Sequence, residues 1–129
     1  MRLLLDTHVL LWSLNQPEAL SEVAREAIAD GDNAVYVSAV TVWEAGIKQA
    51  LGKLSGADDL PDRIRLTRFD ELPVELEHAA AAARLPPHHS DPFDRMLIAQ
   101  AQAEGLTLVT RDARFGAYEV PMLNARLGR

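Results

Sequence analysis

The chain contains no cysteine among its 129 residues, and no apolar run approaches the roughly 20 residues needed to cross a bilayer. The absence of cysteine excludes disulfides, thiolate metal sites and a cysteine nucleophile. No glycine-rich phosphate loop is present, which argues against a nucleotide-driven motor or a kinase. The apolar N-terminal run is interrupted by Asp6 and His8, and no small-residue cleavage site follows it. We therefore expect a cytoplasmic protein that does not associate with membranes.

Positive charge is also scarce, because the formal net charge is −6. This balance argues against a protein that holds nucleic acid mainly through a basic surface. The objection weakens if several acids are gathered in one metal-binding pocket, since a bound cation reverses the local sign of the charge.

Apolar runs alternate with segments of helical periodicity along the whole chain. Buried strands are predicted at 2–5, 34–38 and 106–110, with shorter extended pieces within 70–74 and 119–123. Helices are predicted at 8–14, 20–31, 39–54, 74–85 and 92–104, and one or two short helices within 55–69. The third of these helices is expected to bury a stripe made of Val40, Trp43, Ile47 and Leu51. The pattern predicts one α/β domain over 1–129, in which helices cover both faces of a mostly parallel sheet.

Four acids that lie far apart in the sequence are expected at one edge of this sheet. Asp6 directly follows the first strand, and Asp112 follows the strand at 106–110 by two residues. Glu44 lies in the first turns of the helix after the second strand, and Asp94 opens a helix that precedes a strand. Function in open parallel sheets collects outside the carboxyl ends of the strands, where the N-termini of these helices also lie. The convergence of these carboxylates is the central inference from the sequence.

Each acid also has a purely structural interpretation. Asp6 could be a turn residue, and Asp112 could begin a short helix. Glu44 could complete a capping box with Thr41, although its spacing places it on the inward side of the helix. Asp91, which precedes Pro92, has the signature of a helix N-cap.

Asp94 is not needed for that cap, and Leu97 and Ile98 one turn later direct it toward the core. Carboxylates packed together repel one another unless a cation neutralises them. Oxygen ligands favour a hard divalent ion, Mg²⁺ or Mn²⁺, over zinc. Such ions support phosphodiester hydrolysis. The four acids account for four of the six net negative charges, so the acidity of the chain lies largely in this site.

Several other residues are candidates for supporting roles. Thr7 and Thr110 could orient water or a ligand carboxylate, and Arg95 and Lys48 are placed to meet a bound phosphate. The four histidines lack a metalloprotease spacing, and we expect structural or solvated roles for them: His8, His78, His88 and His89.

Four segments together resemble the PIN domain, specifically the VapC-type toxins of bacterial toxin–antitoxin pairs. These segments are "LLLDTHVLLW", "VSAVTVWEAGIKQALGKL", "DPFDRMLIAQA" and "LTLVTRDARFGAY", and they follow the family's order through nearly the whole chain. The resemblance implies a small three-layer α/β/α domain and a magnesium-dependent endoribonuclease that cleaves RNA, commonly structured RNA such as tRNA. The family's acids fall on Asp6, Glu44, Asp94 and Asp112, and Asp91 matches a recurrent acid.

The resemblance also implies partners. It predicts a homodimer and a VapB-like antitoxin that blocks the site and binds operator DNA, so that this chain meets DNA only through the antitoxin. Two other functions stay open at this point. The first is a non-catalytic PIN-like module that binds RNA or a partner. The second is a phosphatase or receiver-like domain, although the chain has "DTH" where such phosphatases have Asp-x-Asp.

Overall fold

The structure, a computed structural model that describes residues 1–127, contains five parallel strands in the order β3-β2-β1-β4-β5. The strands are β1 Arg2–Leu5, β2 Ala34–Ser38, β3 Asp70–Leu72, β4 Thr107–Thr110 and β5 Met122–Asn124. Each hydrogen-bonded pair of neighbours is parallel. The sheet predicted as mostly parallel is therefore parallel throughout the described residues.

Six α-helices of the described residues connect the strands. Two short 3₁₀ helices lie between other elements, at Pro17–Ala19 and Ala113–Ala117. The helices are α1 Thr7–Asn15, α2 Glu22–Ala29, α3 Ala39–Ala50, α4 Leu60–Leu66, α5 Leu76–Arg84 and α6 Pro92–Glu104. Most elements lie where the periodicity placed them, with ends that differ by a few residues. Within residues 1–127, no helix is long and apolar enough to span a membrane.

The central strand β1 divides the core into two layers because successive side chains point to opposite faces. Leu3 and Leu5 pack in a cluster with residues of α1, α2 and α4. Leu4 packs on the other face, with Leu97 and Ile98 of α6. Both faces of the sheet are thus covered by helices, and the predicted three-layer α/β/α architecture is confirmed.

The sheet order places a topological switch point between β1 and β4. The chain builds outward from β1 to β2 and β3, then returns to the other side of β1 with β4 and β5. Ligands in open parallel sheets bind at the carboxyl end of such a point. Asp6 and Asp112 are the acids that follow these two adjacent strands.

The predicted apolar stripe of α3 is wrong at two positions. Trp43 and Leu51 are each 63% exposed, whereas the buried residues of the helix are Val40, Thr41, Glu44 and Ala45. The helix is rotated so that small and polar side chains face inward. Trp43 instead packs edge-on against Phe93 of α6, with ring centroids 5.2 Å apart.

The ends of α6 match the sequence signals closely. Oδ1 of Asp91 accepts hydrogen bonds from the backbone N–H groups of Phe93 and Asp94, and Pro92 occupies the first turn. Gly105 ends the helix with φ +68, in the left-handed region that favours glycine.

We predict that Gly105→Ala destabilises the protein by about 1 kcal/mol, because a Cβ is unfavourable in the left-handed region. Steric overlap contributes little, since the nearest atom to an added Cβ, an Arg2 guanidinium nitrogen, is 3.9 Å away. Gly46→Ala is the matched control: no atom lies within 4 Å of its Cβ, and it lies inside α3. This substitution should stabilise the protein by about 0.5–1 kcal/mol. Urea unfolding measures both, and a Gly105→Ala variant as stable as wild type would contradict this account of the helix end.

Candidate active site

A cleft of about 440 Å³ opens at the carboxyl edge of the sheet, and five carboxylates line it. They come from distant parts of the chain: Asp6, Glu44, Asp91, Asp94 and Asp112. The cleft therefore brings together the four acids selected from the sequence and the neighbouring cap residue. Four cationic side chains also line it: Lys48, Arg111, Arg114 and Arg126.

Asp6 is buried where β1 passes into α1. Its Oδ1 accepts the backbone N–H of Val9 at 2.8 Å and so caps the helix. Its Oδ2 accepts the hydroxyl of Thr110 at 2.5 Å, which ties β1 to the end of β4. Burial raises the pKa of Asp6, whereas the bonds from Thr110 and Val9 act in the opposite direction.

Glu44 is 3% exposed and projects from α3 toward the same cleft. Thr7 donates its hydroxyl to Oε1 at 2.5 Å, and Lys48, one turn later, donates to Oε2 at 2.5 Å. The bond to Glu44 raises the pKa of Lys48. The suggested capping box with Thr41 does not form, because Ser38 is the N-cap of α3. The buried charge of Glu44 is instead held by a hydroxyl and an ammonium group.

Asp112 caps the 3₁₀ helix Ala113–Ala117 and lines the cleft at the same time. Its Oδ1 accepts the backbone N–H of Arg114 at 2.9 Å. The Arg114 guanidinium lies 2.6 Å from Oδ2 and holds the pKa of Asp112 below its ordinary value. Asp112 is therefore an ionised carboxylate whose cationic partner is largely exposed.

Asp94 differs from the other acids because no group neutralises it. Among residues 1–127, no hydrogen-bond donor meets its carboxylate in bonding geometry; the nearest is Nε2 of His89, 3.4 Å from Oδ2. Burial, followed by the charges of Asp91, Glu44, Asp6 and Asp112, raises its pKa from 3.8 to about 7. Without a cation nearby, an ionised Asp94 is thus unfavourable in the folded protein. This is the property expected of a carboxylate whose charge a bound cation would neutralise.

The donor chemistry fits a hard divalent ion, since the candidate ligands are carboxylate oxygens. The carboxylates of the cleft are nevertheless spread out. In the described part of the chain, the only three acid or histidine side chains with ligand atoms within 4.8 Å of one another are Glu75, His78 and Glu104. A spread set suits Mg²⁺, which keeps several waters and binds proteins through one or two carboxylates.

The Glu75–His78–Glu104 group lies at the other end of α6, about 15 Å from Asp94 along the helix at 1.5 Å per residue. His78 is buried, with Nε2 2.8 Å from the Glu104 carboxylate and Nδ1 accepting the backbone N–H of Glu75. These bonds join the start of α5 to the end of α6. This buried histidine therefore has a structural role, one of the two expected of the histidines.

The structure places some of the predicted supporting residues at the cleft and others away from it. Thr7 and Thr110 each donate to a carboxylate of the cleft, and Lys48 pairs with Glu44. The phosphate contact expected of Arg95 does not fit its position, because its guanidinium donates to the backbone carbonyls of Ala82, Leu85, Pro86 and His89. Ala82 lies in the last turn of α5 and the other three residues in the segment that follows it, so Arg95 ties the start of α6 to the end of α5.

Sequence reasoning missed His89 as a neighbour of the site. The side chain is 7% exposed and lies against Asp94, rather than in solvent. One feature of the sequence could have indicated this proximity: His89 lies two residues before Asp91, the cap of the helix that carries Asp94.

Comparisons with known proteins agree with this architecture. The family model described as "PIN domain" matches residues 3–120. Ribonuclease VapC22 of Mycobacterium tuberculosis is 32% identical over 126 residues, 92% of each chain. Among solved structures, VapBC2 of Rickettsia felis, bound to a fragment of promoter DNA, has a TM-score of 0.70 at 17% identity and covers 97% of this chain and 99% of its own. FitAcB of Neisseria gonorrhoeae has a TM-score of 0.66 at 27% identity, with 95% and 96% covered.

The raised pKa of Asp94 predicts how stability depends on pH in the presence of EDTA. The folded protein keeps the Asp94 proton up to a pH of about 7, whereas the unfolded chain releases it near 3.8. Stability should therefore fall as pH rises from about 4 to about 7, and then level off. Asp94→Asn should flatten this slope and be more stable than wild type at pH 8, by on the order of 1–2 kcal/mol after allowance for solvent screening.

Urea unfolding at pH 5 and pH 8 measures this difference. Asp70→Asn is the control, because Asp70 is an exposed acid on the edge strand β3. An Asp94→Asn variant that follows the wild-type pH dependence would contradict the electrostatic description of the cleft.

Proposed function

Because this chain belongs to the PIN domain family, we propose that it is a metal-dependent endoribonuclease toxin of the VapC type, neutralised by a VapB-like antitoxin. The observation that carries the proposal is the convergence of Asp6, Glu44, Asp94 and Asp112 in one cleft. Helix capping accounts for the position of Asp6 and of Asp112, since one oxygen of each accepts a backbone N–H. No such structural role accounts for the carboxylate of Asp94.

In this proposal, Asp6 and Asp94 are the principal ligands of Mg²⁺ or Mn²⁺. Glu44 and Asp112 complete the acidic pocket, directly or through water. Thr7 and Thr110 hold the carboxylates of Glu44 and Asp6 in place through short hydrogen bonds. When bound, the ion neutralises the crowded carboxylates, and it supplies positive charge to the scissile phosphate and an activated water.

The protein itself would bind and orient the RNA backbone. Arg111, Arg126 and Lys48 line the cleft and can meet phosphates on either side of the scissile bond. The Arg111 guanidinium stacks on the Trp12 ring, 4.7 Å from its centroid, and so has a fixed direction. Water attacks the scissile phosphorus in line, a new P–O bond forms, and the bond to the leaving ester oxygen breaks.

The cleft is open, and its overall sign is negative without a cation. RNA binding through Lys48, Arg111 and Arg126 alone is therefore weak, because the carboxylates beside them repel the phosphates. The ion that would support hydrolysis of the phosphodiester bond would also allow the RNA to bind in the cleft. This dependence supports a metal-activated nuclease over the alternative of a non-catalytic RNA-binding module. The substrate class is RNA, with structured RNA such as tRNA as the first candidate.

The partners follow from the family. Ribonuclease VapC22 matches this chain over 92% of its own length, and the VapBC2 structure carries promoter DNA. We propose that 1–129 is one PIN-like domain, that the protein forms a homodimer and a hetero-oligomer with its antitoxin in the cytoplasm, and that it meets DNA only through the antitoxin. A non-catalytic module would keep these partners without cleaving RNA.

The test is cleavage of total RNA and of purified tRNA by the full chain with Mg²⁺ or Mn²⁺. We predict cleavage that EDTA abolishes and that Asp94→Asn reduces at least 100-fold, since one metal ligand is lost. Asp70→Asn, an exposed acid outside the cleft, should cleave like wild type. Equal cleavage by wild type and Asp94→Asn would contradict the site, and metal-independent RNA binding without turnover would favour the non-catalytic module.

A further inference from the structure

His89 is a buried imidazole next to the cleft that the proposed function leaves without a role. It lies in the loop between α5 and α6, and its side chain is 7% exposed. The ring packs against Phe115 and Tyr118, with centroid distances of 5.8 and 5.5 Å. Both aromatic side chains are buried, so the imidazole nitrogens depend on protein groups for their hydrogen bonds.

The hydroxyl of Tyr118 determines which ring nitrogen of His89 carries the proton. The backbone N–H of His89 donates to this hydroxyl at 3.2 Å, and Nδ1 of the same residue lies 3.1 Å from it. Among the described residues, Nδ1 is the acceptor that lies within reach of the hydroxyl proton. Tyr118 therefore donates to Nδ1, which leaves the proton of the neutral ring on Nε2.

The surroundings of Nε2 favour the same tautomer when Asp94 is ionised. Nε2 is buried without a regular hydrogen bond to any of residues 1–127, and Oδ2 of Asp94 lies 3.4 Å away. When Asp94 is ionised, as it is at pH 8 or beside a cation, a bare nitrogen lone pair facing its oxygen would be repulsive, whereas an N–H group is attracted to it. The distance is about half an ångström longer than that of an ordinary N–H···O bond, and the contact lies outside bonding geometry, so the side chains would have to shift slightly to form the bond.

We propose that His89 is a positioning residue for Asp94, with its Nε2–H directed at Oδ2 by the hydroxyl of Tyr118. The proposal rests on the proposed function only in that Asp94 is taken as a metal ligand. Groups that hydrogen-bond a ligating carboxylate fix its orientation, and their loss commonly weakens metal binding 10–100-fold. His89 engages one oxygen of Asp94 and leaves Oδ1 without a protein donor among residues 1–127.

The tautomer can be read directly from the full-length protein in EDTA at pH 8. Long-range ¹H–¹⁵N NMR of the histidine rings should show a protonated Nε2 and an unprotonated Nδ1 for His89. Tyr118→Phe keeps the ring and removes the hydroxyl, so the His89 signals should shift toward a mixture of tautomers. A wild-type His89 with an unprotonated Nε2 would overturn the proposal, whatever the variants do.

Metal affinity, measured by titration with Mn²⁺ alone, tests the effect on Asp94. We expect His89→Leu to weaken Mn²⁺ binding about tenfold, and His89→Gln to restore most of it because the amide keeps a donor near the position of Nε2. His88→Leu is the matched control. His88 is exposed and contacts the Tyr118 ring, as His89 does, but it makes no contact with Asp94.

Equal Mn²⁺ affinity in wild type and folded His89→Leu would overturn the proposal, as would equal losses in the Leu and Gln variants. If His89→Leu does not fold, the wild-type NMR spectrum and the Gln variant decide the question. Wild-type protein that binds Mn²⁺ with the expected differences and yet cleaves no RNA would contradict the proposed function while still supporting the role of His89.

Discussion

The mutual repulsion of carboxylates crowded at the switch point between β1 and β4 is the constraint on which the site depends. Four of the five carboxylates accept hydrogen bonds from the protein: Asp6 from Thr110, Glu44 from Thr7 and Lys48, Asp91 from the backbone of α6, and Asp112 from Arg114. Asp94 is left with a pKa raised to about 7. The fold holds this unfavourable group in place because α6 is anchored by Leu97 and Ile98 in the core. A bound cation would balance the negative charge of the carboxylates in the cleft.

Three of the acids that line the cleft are also helix caps. Asp6, Asp91 and Asp112 each accept a backbone N–H at the start of a helix or 3₁₀ turn. In a parallel sheet covered by helices, helix N-termini gather at the carboxyl edge, so the residues that cap them gather there too. Capping fixes the direction of each carboxylate before any ligand arrives. A residue can therefore cap a helix and line the candidate site at the same time.

Much of the fold and the acids of the cleft could be predicted from the sequence. Strands 2–5 and 34–38, the helix 92–104 and the PIN resemblance are confirmed, because apolar periodicity and capping signals are local. The exposure of Trp43, the anchoring of Arg95 on α5 and the approach of His89 to Asp94 were not predictable in this way. The first two depend on how helices are rotated against one another, and the third depends on the path of the loop between α5 and α6. Hydrophobicity along one helix encodes neither.

The most direct test of the account is a crystal structure of the protein in crystals grown with Mn²⁺. The anomalous scattering of manganese would locate the ion. We predict an ion in the cleft with carboxylate oxygens of Asp6 and Asp94 at about 2.1–2.2 Å, and water among the remaining ligands. The Glu75–His78–Glu104 group provides an internal comparison, because its ligand atoms already lie within 4.8 Å of one another. Manganese bound there and absent from the cleft would contradict the central claim that the crowded carboxylates form a metal site.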